Sequence, residues 1–279
     1  MAGQILALSD PPDLVIADRV SPASREVLSG AGVGWVETSG AADINTEFLI
    51  VSRDGMPRPL RGPRDSWTPA VLGVAEALLV GTKPTVSATH EATGLSVGAC
   101  TKALDFLEGC GLLEAGAGMG PKSGRRVVDP DALLGSYVAA AHDIESFRPV
   151  SFGVAWRDPV DGLVELGSRW DKAGIPWVAT GMVAAAVAAP HVTSVGVANV
   201  YTVATTAAEI DAVAAAVGLR RIDGGRLTLS PLPTRATLGL AQVMDGLRVA
   251  PWPRLVADLR RIGVRGEEAA EQVRELFAD

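Results

Sequence analysis

The stretch from residue 66 to residue 140 constrains the fold more than any other part of the chain. WTPAVLGVAEALLVG predicts a helix with Thr68 as its N-cap and Pro69 in its first turn. TVSATHEATG predicts a second, shorter helix. Gly94-Leu95-Ser96 then makes a tight turn into SVGACTKALDFLEGCG, for which Ser96 is a good N-cap. In that third helix Val97, Cys100, Leu104 and Leu107 recur at helical spacing and predict one buried stripe. LLEAG and RRVVD read as short strands joined by the glycine-rich loop AGMGPKS. Helix, helix, turn, helix and a two-stranded hairpin is the order of a winged helix-turn-helix.

The flanks have a different character. Residues 1–65 read as a small α/β segment. Ser21-Pro22 opens a helix through REVLSG, and GVGWVET and EFLIVSR follow as strands separated by the turn-rich TSGAAD. Its end, SRDGMPRPLRGPRDS, reads as a linker. Residues 141–279 alternate strands and helices. FGVAWRD, GLVELG, TSVGVANVYTV and GRLTLSPL are the expected strands. GMVAAAVAAP, TAAEIDAVAAAVGL, WPRLVADLRRIG and RGEEAAEQVRELF are the expected helices. The last of these carries Arg265 and Glu268 through Arg274 on a charged face that reads as solvated surface. The expected fold class is α+β: a winged helix-turn-helix between an N-terminal α/β segment and a C-terminal mixed α/β domain, with boundaries at 65/66 and 140/141.

Composition narrows the function classes. Apolar residues make up 48% of the 279 and charged residues 20%, which argues against long disorder. The net charge of −7 removes the simplest nucleic-acid signature, a strongly basic domain. A local basic face matters more than the sum, however, and Lys122, Arg125 and Arg126 sit within five residues without an acid among them. Cys100 and Cys110 are ten residues apart on one expected helix. At that spacing they are rotated by about 80° and separated by about 15 Å along the axis, so they cannot bridge. The reading is a cytoplasmic chain in a reducing compartment. The first residues, MAGQILALSDPPDLV, lack a basic start and a long apolar run, so no signal peptide is expected. The nine-residue MVAAAVAAP is too short to span a bilayer.

Chemistry-bearing motifs are sparse. Lys122-Ser123 follows Pro121 where a phosphate loop has glycine, and proline has no N–H to give a phosphate. GVGWVETSG lacks dinucleotide spacing. Gly167-Ser168 is not followed by a D-x-D pair, and no G-x-S-x-G elbow occurs. No zinc-ligand spacing is present, and no metal or cofactor is expected. The first segment holds Asp18, Glu26, Glu37, Asp43 and Glu47 but no lysine, an incomplete set for a nuclease.

DNA reading needs a helix with a slim outer face and cations at its edges. Ser96, Gly98, Ala99, Thr101 and Lys102 are small or polar and point away from the apolar stripe, and Lys122, Ser123, Arg125 and Arg126 supply a wing. Asp105 and Glu108 lie further along and oppose phosphate, so only the first two turns are expected to approach DNA. Arg220, Arg221, Arg226 and Arg235 form a second candidate basic patch.

Over nearly its whole length the chain resembles the AbiE-type antitoxins, the DNA-binding regulators of type IV toxin–antitoxin systems. LVIADRVSPASREVLSGAGVGWVETSG is similar to an N-terminal segment of restriction-endonuclease-like shape. ATGLSVGACTKALDFLEGCGLLEAGAGMGPKSGRRVVD is similar to the family's winged helix. PWVATGMVAAAVAAP, VYTV, GGRLTLSPLP and VAPWPRLVADLRRIGVRGEEAAEQVREL resemble successive parts of its C-terminal domain. About 65 residues precede the winged helix here, where the family usually begins with it. The resemblance implies a non-enzymatic repressor of its own operon and a nucleotidyltransferase-type toxin as partner. The expected ligand is promoter or operator duplex DNA, and a homodimer is a further expectation. Two other classes stand beside this reading: a stand-alone regulator or protein-interaction module without a toxin, and a nuclease-like DNA-processing enzyme.

Overall fold

The structure is a computed structural model. It describes residues 6, 12–17, 20, 22–37, 41–45, 50–53, 66–116, 124–144, 148–189 and 196–278. The chain divides into two compact units, Met1–Asp65 and Ser66–Asp279. The architecture is mixed α/β with several sheets.

In the first unit, strand β1 (Leu14–Ala17) runs parallel to β2 (Gly34–Glu37), and helix α1 (Pro22–Gly30) connects them. β3 (Ala42–Asn45) and β4 (Ile50–Arg53) continue the sheet in antiparallel sense. A parallel pair needs a crossover, and the helix supplies it. Leu28 of α1 packs with Val20, Val33, Trp35 and Ala41. Ala42 and Asp43, expected in the turn TSGAAD, are instead part of β3, and β1 was not anticipated. Strands of four residues carry too few alternations to stand out.

The second unit begins with α2 (Pro69–Leu79), α3 (Val86–Thr93) and α4 (Val97–Gly109). Each starts on a hydroxyl that accepts a backbone N–H: Thr68 from Val71, Thr85 from Ala88 and Ser96 from Ala99. Gly94 ends α3 at φ 67°, a conformation that favours glycine and turns the chain into α4. β5 (Leu113–Ala115) and β6 (Arg125–Val127) pair antiparallel, and α5 (Pro130–Ile144) follows. Val97 departs from the expected stripe. Cys100, Leu104 and Leu107 are buried, but Val97 is 56% exposed. Its angle around the helix fits the stripe, yet no described residue buries it in the first turn.

A seven-stranded mixed sheet occupies the rest, in the order β10-β7-β11-β9-β8-β13-β12. Its strands are β7 (Val150–Gly153), β8 (Trp177–Thr180), β9 (Ala198–Thr202), β10 (Arg220–Arg221), β11 (Leu227–Pro231), β12 (Gln242–Met244) and β13 (Leu247–Val249). β11 runs parallel to β9 and β13 parallel to β8, while β7, β10 and β12 pair antiparallel. The helices are α6 (Pro159–Lys172), α7 (Gly181–Ala188), α8 (Ala207–Ala215), α9 (Arg235–Gly239), α10 (Trp252–Leu259) and α11 (Val264–Phe277).

GLVELG, expected as a strand, lies inside α6. Asp158 caps that helix through Val160 N and Asp161 N, and Leu163, Leu166, Gly167 and Trp170 make its buried face. The spacing of those four is helical, but it extends beyond the six residues read as a strand. β8 and α5 were also not anticipated. The expected boundary at 140/141 falls inside α5. One core runs from Val71 and Leu104 through Leu134 and Ala141 to Leu255 and Val273. His142 Nε2 lies 2.9 Å from Ala257 O, joining the last turn of α5 to α10.

Candidate nucleic-acid interface and a buried polar network

The first turns of α4 present the residues singled out for DNA reading. Gly98 and Lys102 are exposed, and Ala99 and Thr101 are half-buried. Ser96 is exposed while its Oγ accepts from Ala99 N at 3.2 Å. Thr101 Oγ1 donates to Val97 O at 2.9 Å, so this hydroxyl is held by its own helix. No acid precedes Asp105 on α4. The turn before the helix is pinned from α3, with His90 Nδ1 2.5 Å from Leu95 O and Leu95 N donating to Thr93 Oγ1 at 3.3 Å.

The hairpin differs from the expected open wing. Arg125 Nη2 donates to Asp105 Oδ1 at 2.5 Å and its Nε to Glu108 Oε2 at 2.6 Å. Arg126 Nε donates to Glu114 Oε1 across the hairpin at 2.6 Å. Arg125 is a clamp between β6 and α4, and only 19% of its side chain is exposed. The two acids expected to repel phosphate are therefore its partners. Lys122 and Ser123 lie outside the described residues.

Several of the other expected groups are engaged by local partners. Arg221 pairs with Asp211 at 3.5 Å. Arg226 donates to the main-chain oxygens of Trp156 and Gly196. Arg220 is exposed on β10, and Arg235 is exposed at the start of α9. In the first unit Glu37 Oε1 accepts from Arg25 Nη2 at 2.6 Å and from Val20 N at 2.8 Å. Asp43 Oδ2 accepts from Ser29 at 2.5 Å. Asp18 and Glu47 lie outside the described residues. Among the described residues no group of histidine, cysteine or carboxylate side chains is placed to hold a metal ion. Cys100 is buried and Cys110 is exposed, and neither forms a disulfide with a described residue. No described helix is long and apolar enough to cross a membrane.

Sequence reasoning missed a buried polar network where α2 meets the sheet and its helices. Glu76, on the otherwise apolar α2, is fully buried. Its carboxylate accepts from Tyr137 OH of α5 at 2.6 Å and from Thr237 Oγ1 of α9 at 2.9 Å. α9 can come this close because residue 73 is glycine. A Cβ there would lie 2.7 Å from Thr234 Oγ1 and 2.9 Å from Ala236 Cβ. Burial pushes the Glu76 carboxyl up to about 7, and the nearby Arg254 guanidinium opposes that rise.

Arg254 and Asp258 occupy one face of α10, four residues apart, and their side chains meet at 2.5 Å. Arg254 Nη2 also donates to Tyr201 OH at 2.7 Å, and the guanidinium lies 5.3 Å from the Tyr201 ring centroid. Tyr201 OH donates to Asp258 at 2.9 Å, and Thr180 Oγ1 donates to the Asp258 Oδ2 atom. Thr180 is the N-cap of α7, but its hydroxyl makes no cap bond because it is turned to Asp258. The i,i+4 pairing of Arg254 and Asp258 was legible as a helix ion pair. Nothing local marked it as buried. Comparison with protein-family models, curated proteins and solved structures gave no match.

Proposed function

We propose that the protein is a sequence-specific DNA-binding transcriptional regulator whose reading element is a winged helix-turn-helix at residues 66–140. The single observation that carries this reading is the outer face of α4. Gly98 and Lys102 are exposed beside Ser96, and no acid comes before Asp105. A slim N-terminal face with one cation suits entry of the first two turns into a major groove. Support also comes from the order α2, α3, α4 and hairpin, and from the two hydroxyl caps and the left-handed Gly94 that fix the turn. The resemblance to AbiE-type antitoxins adds a biological setting: repression of its own operon beside a nucleotidyltransferase-type toxin. The protein has no enzymatic activity of its own in this reading. Footprinting of the upstream DNA tests it. A protected site that shifts its sequence preference in Lys102→Ala supports α4 as the reader, and an unchanged preference rejects it.

One observation favours a second reading, a protein-interaction module. Arg125 and Arg126 are already paired with acids of their own hairpin and helix. On DNA, Arg125 must exchange two carboxylates for phosphate. A complex with a protein partner that survives nuclease treatment favours this second reading.

A further inference from the structure

Val97 opens α4 and departs from the rest of its stripe. It is 56% exposed, whereas Cys100, Leu104 and Leu107 are buried. A single exposed valine is ordinary on a protein surface. This one is set apart by its place on the helix and by its neighbours.

Val97, Thr101 and Asp105 follow one another at four-residue spacing along one row of α4. The row ends in the ion pair of Asp105 with Arg125 and begins with an uncharged side chain. Thr101, between them, is not available as a donor, because its hydroxyl donates to Val97 O at 2.9 Å. Ser96 Oγ serves as the helix cap and accepts from Ala99 N. Gly98 adds no side chain, and a Cβ there would meet nothing within 4 Å, so the surface beside Val97 is open. The hydroxyls at 96 and 101 are thus engaged by α4 itself. The first two turns are left with an exposed aliphatic group at Val97 and an exposed cation at Lys102.

The N-terminal residues of a helix lying in the major groove are the ones that meet base edges. Those edges are polar, except that thymine adds an apolar group, its C5-methyl. An aliphatic side chain set against amino or carbonyl groups strips water from them and returns no hydrogen bond, which is a cost. Set against a methyl group, it removes apolar surface from water on both sides, which is a gain. We propose that Val97 reads a pyrimidine C5-methyl group, supplied by thymine, and so is a specificity-determining residue of α4. This role rests on the DNA-reading proposal and adds to it the base that the first turn selects.

Anisotropy titrations of the intact protein on the footprinted upstream duplex test it. Each thymine in turn is replaced by uracil, which deletes the methyl group and keeps the base pair. At one position the replacement should weaken binding about fourfold, the effect of one buried methyl-sized group. Val97→Ala should abolish that penalty, with both duplexes bound at the weaker affinity. Val97→Ile should keep it, and so should Val243→Ala, which alters another exposed valine, on β12. Thermal melting of Val97→Ala should match the unaltered protein, because the side chain it trims is exposed.

A protected site that binds equally well with every thymine replaced overturns this role of Val97 and leaves the DNA reading standing. A uracil penalty that persists in Val97→Ala overturns it as well, since another residue then holds the methyl group. A gain seen only when cytosine is replaced by 5-methylcytosine overturns thymine as the base. Absence of any protected site overturns the DNA reading and the role of Val97 together, and a nuclease-resistant protein complex lost in Val97→Ala then assigns the exposed valine to a protein partner.

Discussion

The phenolic hydroxyl of Tyr137 donates a 2.6 Å hydrogen bond to Glu76, tying α5 to α2 across 61 residues of sequence. Both side chains are fully buried. A carboxyl in such a place is more stable neutral than charged, and its titration must therefore appear in the stability of the fold.

The Glu76 carboxyl is raised from 4.5 to about 7 in the folded chain. The folded state then holds more protons than the unfolded state between those values. The stabilisation is complete below about pH 4.5 and is lost as pH rises through about 7, the reverse of a salt-bridged carboxylate. At about 1.4 kcal/mol per pH unit the full effect is roughly 3 kcal/mol. Thermal melting of the intact protein is expected to show this decline from pH 5 to 8. Glu76→Gln should flatten it, and an equal slope in both proteins contradicts the assignment.

Asp258 neutralises Arg254, whose side chain is wholly buried. Removing the acid strands a buried cation, so Asp258→Ala should cost about 3–5 kcal/mol in urea denaturation. Tyr201→Phe keeps the ion pair and deletes only the hydroxyl, so it should cost about 1 kcal/mol. Equal losses from the two variants would show that the ion pair is not the dominant element.

Gly167 of α6 lies against the Trp177 ring, and a Cβ added there would sit 2.0 Å from its Cζ2 atom. Gly167→Ala should destabilise by at least about 1–3 kcal/mol, because a closely packed core cannot absorb the added carbon. Gly135→Ala on α5, where a Cβ meets nothing within 4 Å, is the control and should be neutral or stabilising. Similar denaturation midpoints for the two variants would show that α6 does not rest on Trp177 as described.

Asp105 and Glu108 both accept hydrogen bonds from the Arg125 guanidinium. If α4 and the hairpin face DNA, the double variant Asp105→Asn, Glu108→Gln removes two repelling charges and releases a cation. Affinity for duplex DNA should rise about fivefold at low salt, on the order of 1 kcal/mol. Anisotropy titrations check this. A lower or equal affinity places the helix and hairpin on another partner.

Much of the helical framework was legible from short-range rules. Thr68, Thr85 and Ser96 cap where hydroxyl residues precede helical patterns, and Gly94 turns the chain as its position suggests. The misreadings have a common physical origin. GLVELG is a short apolar window, but Asp158-Pro159 ahead of it is a helix start, and Leu163, Leu166 and Trp170 share one face. The polar network was hidden because burial of Glu76, Arg254 and Asp258 depends on α2, α5, α9 and α10 meeting, a long-range outcome. The pairing of Arg125 with Asp105 and Glu108 was hidden for the same reason. Register of the hairpin against α4 decides whether those acids repel a phosphate or hold the arginine.

Whether α4 reads DNA is decided by one titration. Fluorescence anisotropy is measured on the upstream duplex and on a scrambled duplex of equal length, at several salt concentrations. A regulator that reads with α4 binds the upstream duplex more tightly, loses that affinity steeply with salt, and loses the preference in Lys102→Ala. Equal, weak binding to both duplexes that vanishes by physiological salt would contradict it.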